Sequence, residues 1–346
     1  MLTAPLIVDI RRGAVADLAG LLADRRIATE GRVAVAVGRG QGDDVLTELD
    51  METARVFRVE DGSVDAAIGL GKQLRADAFE AVAGIGGGKT LDVTKFAAHM
   101  AGIPMVAVAT NLAHDGLASP VSSLEHESGK GSYGVLPPVA VVVDLDRVRA
   151  GAPRMIRAGI GDVVNNLSAI ADWKLAAADR GEPVDGLAVT LARTAAQAVL
   201  HQPGTVTDDE FLTVLAESLV LSGIAMTVAG SSRPGSGGDH EILHAIDQLY
   251  PGTGSHGELA GLGALFCTYL HGDERLFALM SACLSRHGLP RLPADIGLGP
   301  AEFTQAVLYA PATRPGRYTI LERLELDEAA IAQQVAGFTA AVTSGG

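Results

Sequence analysis

The chain has 346 residues, of which 48% are hydrophobic and 20% are charged, a composition typical of a folded protein rather than a disordered one. Its length exceeds what one simple core usually organises, so two domains are expected. The formal net charge of -14 argues against a nucleic-acid partner, because phosphate backbones require clusters of Lys and Arg. An anionic small-molecule substrate is still allowed, since helix N-termini and metal ions supply local positive charge.

Cysteine content and hydropathy bear on the cellular compartment. Cys267 and Cys283 are too few for a disulfide framework or a zinc–cysteine site, and we expect buried thiols. The N-terminus lacks a long apolar core behind a basic start, so no signal peptide is predicted. The apolar stretch 214–230 is interrupted by Glu217 and is expected to fall short of a membrane span. These features predict a cytoplasmic enzyme with no membrane partner.

The first half of the chain alternates apolar, β-branched runs with helical patterns. Strands that are apolar throughout, with helices between them, indicate a parallel sheet covered on both faces. Ligands bind such a sheet beyond the carboxyl ends of its strands. The predicted strands are 6–10, 32–38, 54–59, 81–86, 104–110 and 139–146, and the clearest predicted helices are 15–28, 63–75 and 90–101.

After residue 150 the pattern changes to long Ala- and Leu-rich helical segments. Helices are predicted at 163–178, 186–200 and 210–228, and no strand run of comparable strength follows. We place a boundary near Gly151, just before Pro153. The sequence therefore predicts an α/β fold, with a parallel-sheet domain at 1–150 and an all-helical domain at 151–346.

The segment GIGGGKTLDVTK, at 84–95, follows a predicted strand and enters a predicted helix. Three consecutive glycines let the backbone approach a pyrophosphate, and the helix N-terminus adds partial positive charge. Lys89 stands where the dinucleotide fingerprint G-x-G-x-x-G has its third glycine, and Ala83 replaces the first glycine of the phosphate loop G-x-x-x-x-G-K-[ST]. From this segment alone three readings stay open: a nucleotide cofactor, a nucleoside triphosphate with Asp144 as magnesium partner, or a turn without a ligand.

The segment HEILH, at 240–244, puts His240 and His244 on one helical face, an arrangement used for metal ligation. It also matches the zinc-peptidase signature H-E-x-x-H, in which Glu241 would be the general base. The extended form of that signature fails, because Asp247 and Tyr250 stand where a glycine and a third histidine would be.

Two further segments offer metal ligands. His256 opens a Gly-flanked predicted helix sixteen positions beyond His240, and GDVVNN offers Asp162 at what we expect to be another helix start. His114 lies beside Asp115 and could line the ligand cleft. The other histidines are expected on the surface or as satisfied core residues: His99, His126, His201, His271 and His287.

Taken together and in order, these segments resemble sn-glycerol-1-phosphate dehydrogenases, in the superfamily of iron-type alcohol dehydrogenases and dehydroquinate synthases. The resemblance extends along nearly the whole chain, whereas the peptidase and triphosphate readings each explain one segment. The matching segments are GGGKTLDVTK (86–95), TNLAHDGLASP (110–120), GDVVNNLSAIADWKLA (161–176), SRPGSGGDHEILHAID (232–247), HGELAGLG (256–263) and RPGRYTILE (314–322).

The resemblance implies a dehydroquinate synthase-like fold, with a Rossmann-like NAD(P)-binding domain, a helical metal- and substrate-binding domain, and an active site in the cleft between them. It implies one divalent metal, zinc first and nickel or iron as alternatives, on Asp162, His240 and His256. Asp115, Asp162 and His244 are the implied catalytic or substrate contacts. The implied cofactor contacts are Gly86, Gly87, Gly88, Lys89, Thr90, Thr110, Asn111, Leu112, Ala113 and Ser119.

The implied reaction is reversible hydride transfer between NAD(P)H and dihydroxyacetone phosphate, which gives sn-glycerol 1-phosphate, a step of phospholipid metabolism. A homodimer or another homo-oligomer is expected. The first ligand, Asp162, favours the dehydrogenase branch, since the dehydroquinate synthase branch has glutamate there. The alternatives are a dehydrogenase for another polyol, phosphorylated or not, a zinc peptidase using HEILH, and a non-catalytic homologue.

Five positions bear on cofactor and substrate preference. Asp239 stands where many relatives have glutamate, and Lys89 and Thr90 fill turn positions that are often Arg and Val. Arg39 ends the second predicted strand with no carboxylate before Asp43, so it could accept the 2′-phosphate of NADP. Arg233 is a candidate for binding a substrate phosphate, with a surface position as the alternative.

Overall fold

The structure is a computed structural model that describes residues 4–49, 55–126 and 129–344. The chain divides into two compact units, Met1–Ile156 and Arg157–Gly346. The first unit is built on a parallel sheet, and the second consists of helices, with no strand among its described residues.

The sheet of the first unit has six parallel strands in the order β1-β8-β5-β4-β2-β3. The strands β2, β4, β5 and β8 are buried at every residue, which explains why they consist of Val, Ala, Ile, Gly and Met apart from Asp144 at the end of β8. All six predicted strands are present within two residues of the expected ends, although residue 54 lies outside the described part. The strands are β1 (Ile7–Arg11), β2 (Val33–Val37), β3 (Arg55–Arg58), β4 (Ala81–Gly86), β5 (Met105–Ala109) and β8 (Ala140–Asp144).

A two-stranded antiparallel hairpin, β6 (Val121–His126) and β7 (Gly129–Gly134), was not predicted. Its strands carry Ser, Gly and charged residues, and only Leu124 gives β6 a fully buried apolar side chain. A pattern with so little apolar alternation does not signal a strand from sequence.

The helices that precede the second unit cover the sheet or connect its strands. The predicted helix 15–28 is shorter than expected, because residues beyond Leu22 form turns in which Asp24 accepts hydrogen bonds from the backbone and side chain of Arg26. The helices are α1 (Leu18–Leu22), α2 (Gln41–Glu48), α3 (Val64–Ala76), α4 (Gly88–Ala101), α5 (Leu145–Ala150) and α6 (Pro153–Val164), which runs into the second unit.

In the second unit, α10 packs against α11 and α13, and α8 packs against α9. The predicted helix 163–178 is divided between two helices, because the helical hydrogen bonding is interrupted at Asn165. The side-chain amide of Asn165 donates to the carbonyl of Asp162 at 2.7 Å. The helices are α7 (Asn166–Arg180), α8 (Gly186–His201), α9 (Asp209–Ala229), α10 (Gly238–Leu249), α11 (His256–His271), α12 (Glu274–Arg286), α13 (Pro300–Thr313), α14 (Ile320–Leu324) and α15 (Glu328–Ser344).

Helix α9 corrects one expectation about length. Its 21 residues, with a mean hydropathy of 1.9 in the most apolar window, suffice to cross a membrane by length and composition. Within that window 61% of the residues are buried in the unit, as in the core helix of a folded domain. Glu217 lies inside the helix rather than ending it.

Candidate functional site

Asp162, His240 and His256 lie together in the second unit. Each offers one carboxylate oxygen or imidazole nitrogen, and these three atoms lie within 4.8 Å of one another. Nε2 of His256 is 3.3 Å from Oδ1 of Asp162. Asp162 is 3% exposed and His240 is 7% exposed, whereas the side chain of His256 is 40% exposed. Two imidazoles and one carboxylate in this arrangement are a donor set for one divalent cation with an open side.

Glycines on α11 let the three ligand-bearing helices approach one another closely. A Cβ on Gly257 would collide with the backbone of Ala158 in α6, and a Cβ on Gly161 would collide with the carbonyl of Gly257. A Cβ on Gly263 would lie 2.6 Å from the carbonyl oxygen of Asp239 in α10. The glycines of the segment HGELAGLG are therefore a packing requirement, and they bring the ligands of α6, α10 and α11 to one place.

Asp162 occupies a different helical position from the expected one. It lies in the last turn of α6, not at a helix start, because α6 begins at Pro153. Proline suits the first residue of a helix, since its missing N–H has no intrahelical acceptor there. His240 and His256 do lie at helix starts, as the third residue of α10 and the first residue of α11.

His240 is held by its neighbour in sequence. Its Nδ1 forms a hydrogen bond with Oδ1 of Asp239 at 2.6 Å, and the same oxygen accepts from the backbone N–H of Gly237 at 3.2 Å. Burial lowers the pKa of His240 well below its usual value, so the ring is neutral, as a metal ligand requires. Burial raises the pKa of Asp239 to about 7. With Nδ1 engaged, Nε2 is the nitrogen left for a metal.

Glu241 does not have the environment of a catalytic base. Its side chain is fully buried, and Oε2 accepts a hydrogen bond from the hydroxyl of Thr319 at 3.1 Å. Burial, followed by the nearby carboxylate of Glu322, raises the pKa of Glu241 to about 9, which keeps it protonated near neutral pH. The peptidase reading needs this residue ionised at the metal, so the structure argues against it.

Two half-buried guanidinium groups support the loop that leads into α10. Arg314 donates to the hydroxyl of Ser236 at 2.5 Å, and Arg317 donates to the hydroxyl of Ser232 at 3.0 Å and to the carbonyl of Ser236. Burial lowers the pKa of Arg317 to about 10, and the neighbouring guanidinium of Arg314 adds to this effect. The segment RPGRYTILE thus anchors the backbone four residues before His240.

Arg233, the sequence candidate for a substrate phosphate, has a different position. It is 5% exposed, its Nε donates to Glu182 at 2.7 Å, and its other nitrogens bond to Glu182 and to the carbonyl of Tyr318. A bidentate pair with a carboxylate already engages the fork that a phosphate would need. The residue is neither on the surface nor available to a phosphate.

The glycine-rich turn lies in the first unit, where β4 passes into α4. Parallel strands β2, β4 and β5 end at the same edge of the sheet, and the backbone N–H of Thr110 donates to the carbonyl of Gly86 at 3.0 Å. The strand order reverses between β2 and β4, and such a switch point is where open α/β sheets bind ligands.

Side chains of the segment 110–114 lie directly against this turn. A Cβ on Gly87 would overlap the side-chain amide of Asn111, and a Cβ on Gly88 would overlap the imidazole of His114. Thr90, 5% exposed, lies against the turn in the same way, because a Cβ on Gly86 would be 2.7 Å from its hydroxyl oxygen.

The remaining predicted cofactor contacts are distributed around the same edge. Lys89 is exposed, Leu112 and Ala113 are buried, and the hydroxyl of buried Ser119 donates to the carbonyl of Val121 at 3.4 Å. The structure therefore brings the glycine-rich turn and the segment that follows β5 together in one unit.

The predicted substrate contacts belong to different units. Asp115 begins a short 3-10 turn, Asp115–Leu117, in the first unit. His244 lies one turn after His240 on α10 in the second unit, with the two ring centroids 6.2 Å apart.

The side chain of Arg39 is 81% exposed and is paired with Glu60, which follows β3. Asp43 is paired with Arg58 in the same way. A carboxylate, that of Glu60 two residues beyond the end of β3, therefore lies beside Arg39.

Sequence reasoning missed two buried residues that position the site. Asp172 accepts hydrogen bonds from the backbone N–H of Gly238 at 2.8 Å, from that of Ile320 at 2.9 Å, and from Nε2 of His271 at 2.8 Å, so it anchors the start of α10. Lys95 bonds to the loop that carries Asp115. A charged residue inside an apolar helical face was the available signal for both.

Comparison with known proteins adds independent information. The family model for iron-containing alcohol dehydrogenases matches residues 9–153. The glycerol-1-phosphate dehydrogenase [NAD(P)+] of Methanospirillum hungatei JF-1 is 32% identical over 92% of this chain and 89% of its own length. The corresponding proteins of Pyrococcus furiosus and Methanosphaerula palustris are 35% and 36% identical, over 80% and 72% of this chain and 79% and 70% of their own lengths.

Solved structures show the same fold at lower identity. A probable glycerol dehydrogenase from Sinorhizobium meliloti 1021 superposes with a TM-score of 0.80 at 23% identity, covering 99% of both chains. Glycerol dehydrogenase from Schizosaccharomyces pombe gives 0.77 at 18% identity, covering 100% of this chain and 91% of that one. Sulfoacetaldehyde reductase from Bifidobacterium kashiwanohense, in complex with NAD+, gives 0.73 at 15% identity over 98% of both.

Proposed function

Because the chain belongs to the glycerol-1-phosphate dehydrogenase family, we propose that it reduces dihydroxyacetone phosphate to sn-glycerol 1-phosphate, reversibly, with NADH or NADPH. The observation that carries the proposal is the convergence of Asp162, His240 and His256 within 4.8 Å. This donor set occurs in a chain that also has a glycine-rich turn at the switch point of a parallel sheet.

The donor set fits a divalent metal. His240 keeps Nε2 for the metal, since its Nδ1 bonds to Asp239. Asp162 contributes a buried carboxylate, and the partial exposure of His256 leaves a side from which a substrate oxygen can approach. Zinc is our first choice, and nickel and iron accept the same ligands.

When bound, a divalent metal polarises a ketone oxygen as a Lewis acid, and a reduced nicotinamide supplies the hydride. The residues of the chain hold and orient these groups: Asp162, His240 and His256 at the metal, and Gly86–Thr90, Thr110–Ala113 and Ser119 at the cofactor. Reduction also requires a proton at the ketone oxygen. We assign its delivery to His244, a half-buried side chain on the same helix as His240, with Asp115 or water as the alternative donor.

The domain roles and the cellular setting belong to the same proposal. Residues 1–150 bind the cofactor, and residues 151–346 bind the metal and the substrate. The net charge of -14 supports a protein without a nucleic-acid partner, and the burial of α9 supports a cytoplasmic enzyme that does not enter a membrane. A homo-oligomer is the proposed assembly.

A reductase assay tests the proposal. Chelated protein reloaded separately with Zn²⁺, Ni²⁺ or Fe²⁺ is assayed for NADH and NADPH oxidation with dihydroxyacetone phosphate and with dihydroxyacetone. We expect kcat/KM to be on the order of 100-fold higher for the phosphorylated ketone, because a site built for a phosphate rejects the analogue that lacks it. The reverse preference would identify a dehydrogenase for an unphosphorylated polyol. Cofactor binding without turnover on either ketone would identify a non-catalytic homologue.

A further inference from the structure

Lys95 is the least exposed charged side chain among the described residues of the first unit, at 1%. It lies on α4, seven residues after Gly88, which is about two helical turns from the glycine-rich turn that is proposed to hold the cofactor. Burial lowers the pKa of its ammonium group, and the charges of Asp92 and Asp115 act in the opposite direction. A buried ammonium is retained only where its N–H groups have acceptors, so those acceptors indicate its role.

The ammonium of Lys95 donates two hydrogen bonds to backbone carbonyls and forms one ion pair with a carboxylate. Nζ donates to the carbonyl oxygens of Gly116 at 2.6 Å and Ser119 at 3.2 Å, and it lies 3.5 Å from Oδ1 of Asp92. Asp92 is on α4 itself, whereas Gly116 and Ser119 belong to the loop that follows β5. The ion therefore joins α4 to that loop through charge-assisted hydrogen bonds.

The loop held by Lys95 lies directly over the glycine-rich turn. The backbone N–H of Gly116 donates to Nδ1 of His114 at 3.0 Å, and the ring of His114 lies against Gly88. The N–H groups of Ala118 and Ser119 close the loop by donating to the carbonyl of Asp115 at 3.0 and 3.1 Å. Any movement of the Gly116 and Ser119 carbonyls would therefore displace His114, Asp115 and Ser119 relative to the turn.

We infer that Lys95 is a positioning residue, whose buried ammonium holds residues 116–119 in the conformation that binds the cofactor. The inference rests on the proposed function in one respect, the assignment of residues 110–119 as cofactor and substrate contacts. A chemical role for the amine does not fit, because a side chain that is 1% exposed and bonded to two carbonyls cannot reach a substrate.

The test compares Lys95→Met with Thr94→Ala. Methionine keeps the length of the side chain but removes every donor. Thr94 is buried on the same helix and packs against Gly84 of β4, so its truncation removes buried packing between α4 and the sheet. The measurements are the dissociation constant of NADPH, from nicotinamide fluorescence, amide hydrogen exchange over residues 113–121, and the melting temperature. Lys95→Gln, which keeps two N–H donors without the charge, replaces Lys95→Met if the latter does not fold.

We expect Lys95→Met to raise the NADPH dissociation constant about tenfold, which corresponds in free energy to roughly one charged hydrogen bond. Amide hydrogen exchange in residues 113–121 should become faster. Thr94→Ala should lower the melting temperature while NADPH affinity stays within twofold of the wild type. Unchanged affinity in the Lys95 variant, with weakened affinity in Ser119→Ala, would overturn the inference alone. Faster loop exchange in the Lys95 variant, with unchanged affinity in it and in both Gly87→Val and Ser119→Ala, would instead show that the cofactor assignment is wrong.

Discussion

Nδ1 of His240 and Oδ1 of Asp239 form a hydrogen bond of 2.6 Å, and the aspartate side chain has no exposed surface. This contact engages Nδ1, so Nε2 is the nitrogen available to a metal, and the ring then donates from Nδ1. It also explains why a carboxylate precedes the histidine, whether Asp, as in this chain, or the glutamate expected in many relatives. A carboxylate behind a metal-bound imidazole raises the basicity of the ligand.

Replacing Asp239 by Asn should weaken metal binding about 10- to 100-fold, because an amide oxygen is a weaker acceptor and the carboxylate charge is lost. The zinc dissociation constant, from competition with a chromophoric chelator, measures this. Asp239→Glu is the matched control and should recover part of the affinity. Equal zinc affinity in the wild type and the Asn variant would show that the contact does not tune the ligand.

His256→Ala should remove most of the bound metal and most of the activity, because two protein ligands are left where catalytic sites usually have three. Metal content by mass spectrometry after dialysis is the direct readout. His201→Ala, at an exposed position at the end of α8, is the control and should keep a full equivalent. A full equivalent in the His256 variant would refute its assignment as a ligand.

Gly87→Val should raise the dissociation constant of the cofactor about tenfold or more, while the protein stays folded. The main cause is a steric clash within the protein: the added Cβ overlaps the side-chain amide of Asn111 and displaces the loop that covers the turn. Crowding of the cofactor pyrophosphate would add to this effect. Gly69→Ala, where a Cβ has nothing within 4 Å, is the matched control. If affinity is the same in both variants, the turn does not bind the cofactor.

The ion pair of Arg39 and Glu60 bears on the choice between NADH and NADPH. We predict that NADPH is accepted at least as well as NADH, and that Arg39→Ala lowers kcat/KM for NADPH about tenfold with little effect on NADH. Glu60→Gln should raise kcat/KM for NADPH about two- to fivefold, because it releases Arg39 from its ion pair. The effect is small because an exposed ion pair is weak. A strong preference of the wild type for NADH, insensitive to both substitutions, would place 2′-phosphate recognition elsewhere.

His287 predicts a pH dependence of stability. Burial, followed by the nearby Arg286, lowers the pKa of His287 to about 4, and its ring stacks on Phe211 with centroids 4.7 Å apart. The unfolded chain binds this proton near pH 6.5 and the folded chain only near pH 4, so the contribution is complete above pH 6.5 and is lost as the pH falls through that window. The melting temperature of the wild type should therefore fall more steeply from pH 6.5 to 4 than that of His287→Gln. Parallel curves would contradict the shift.

Local sequence information was sufficient for the core of the sheet. The strands β2, β4, β5 and β8 are continuous apolar runs bounded by polar residues, glycine or proline, and a strand buried on both faces tolerates little else. The hairpin of β6 and β7 was missed because its residues pair through the backbone and carry few apolar side chains. The start of α6 was missed because the predicted helix began at residue 163, whereas α6 begins ten positions earlier, at Pro153.

The identity of the metal-ligand candidates follows from the sequence alone, because Asp162, His240 and His256 lie in recognisable segments. Their convergence, and the partners that hold them, depend on tertiary structure. Contacts between residues far apart in the chain decide that Arg233 is paired with Glu182 and that Lys95 reaches Gly116. The orientation of side chains on α10 decides that Asp239 contacts His240. Spacing along a chain records which face of an element a residue occupies, whereas burial and hydrogen-bond partners are set by the elements packed against that face.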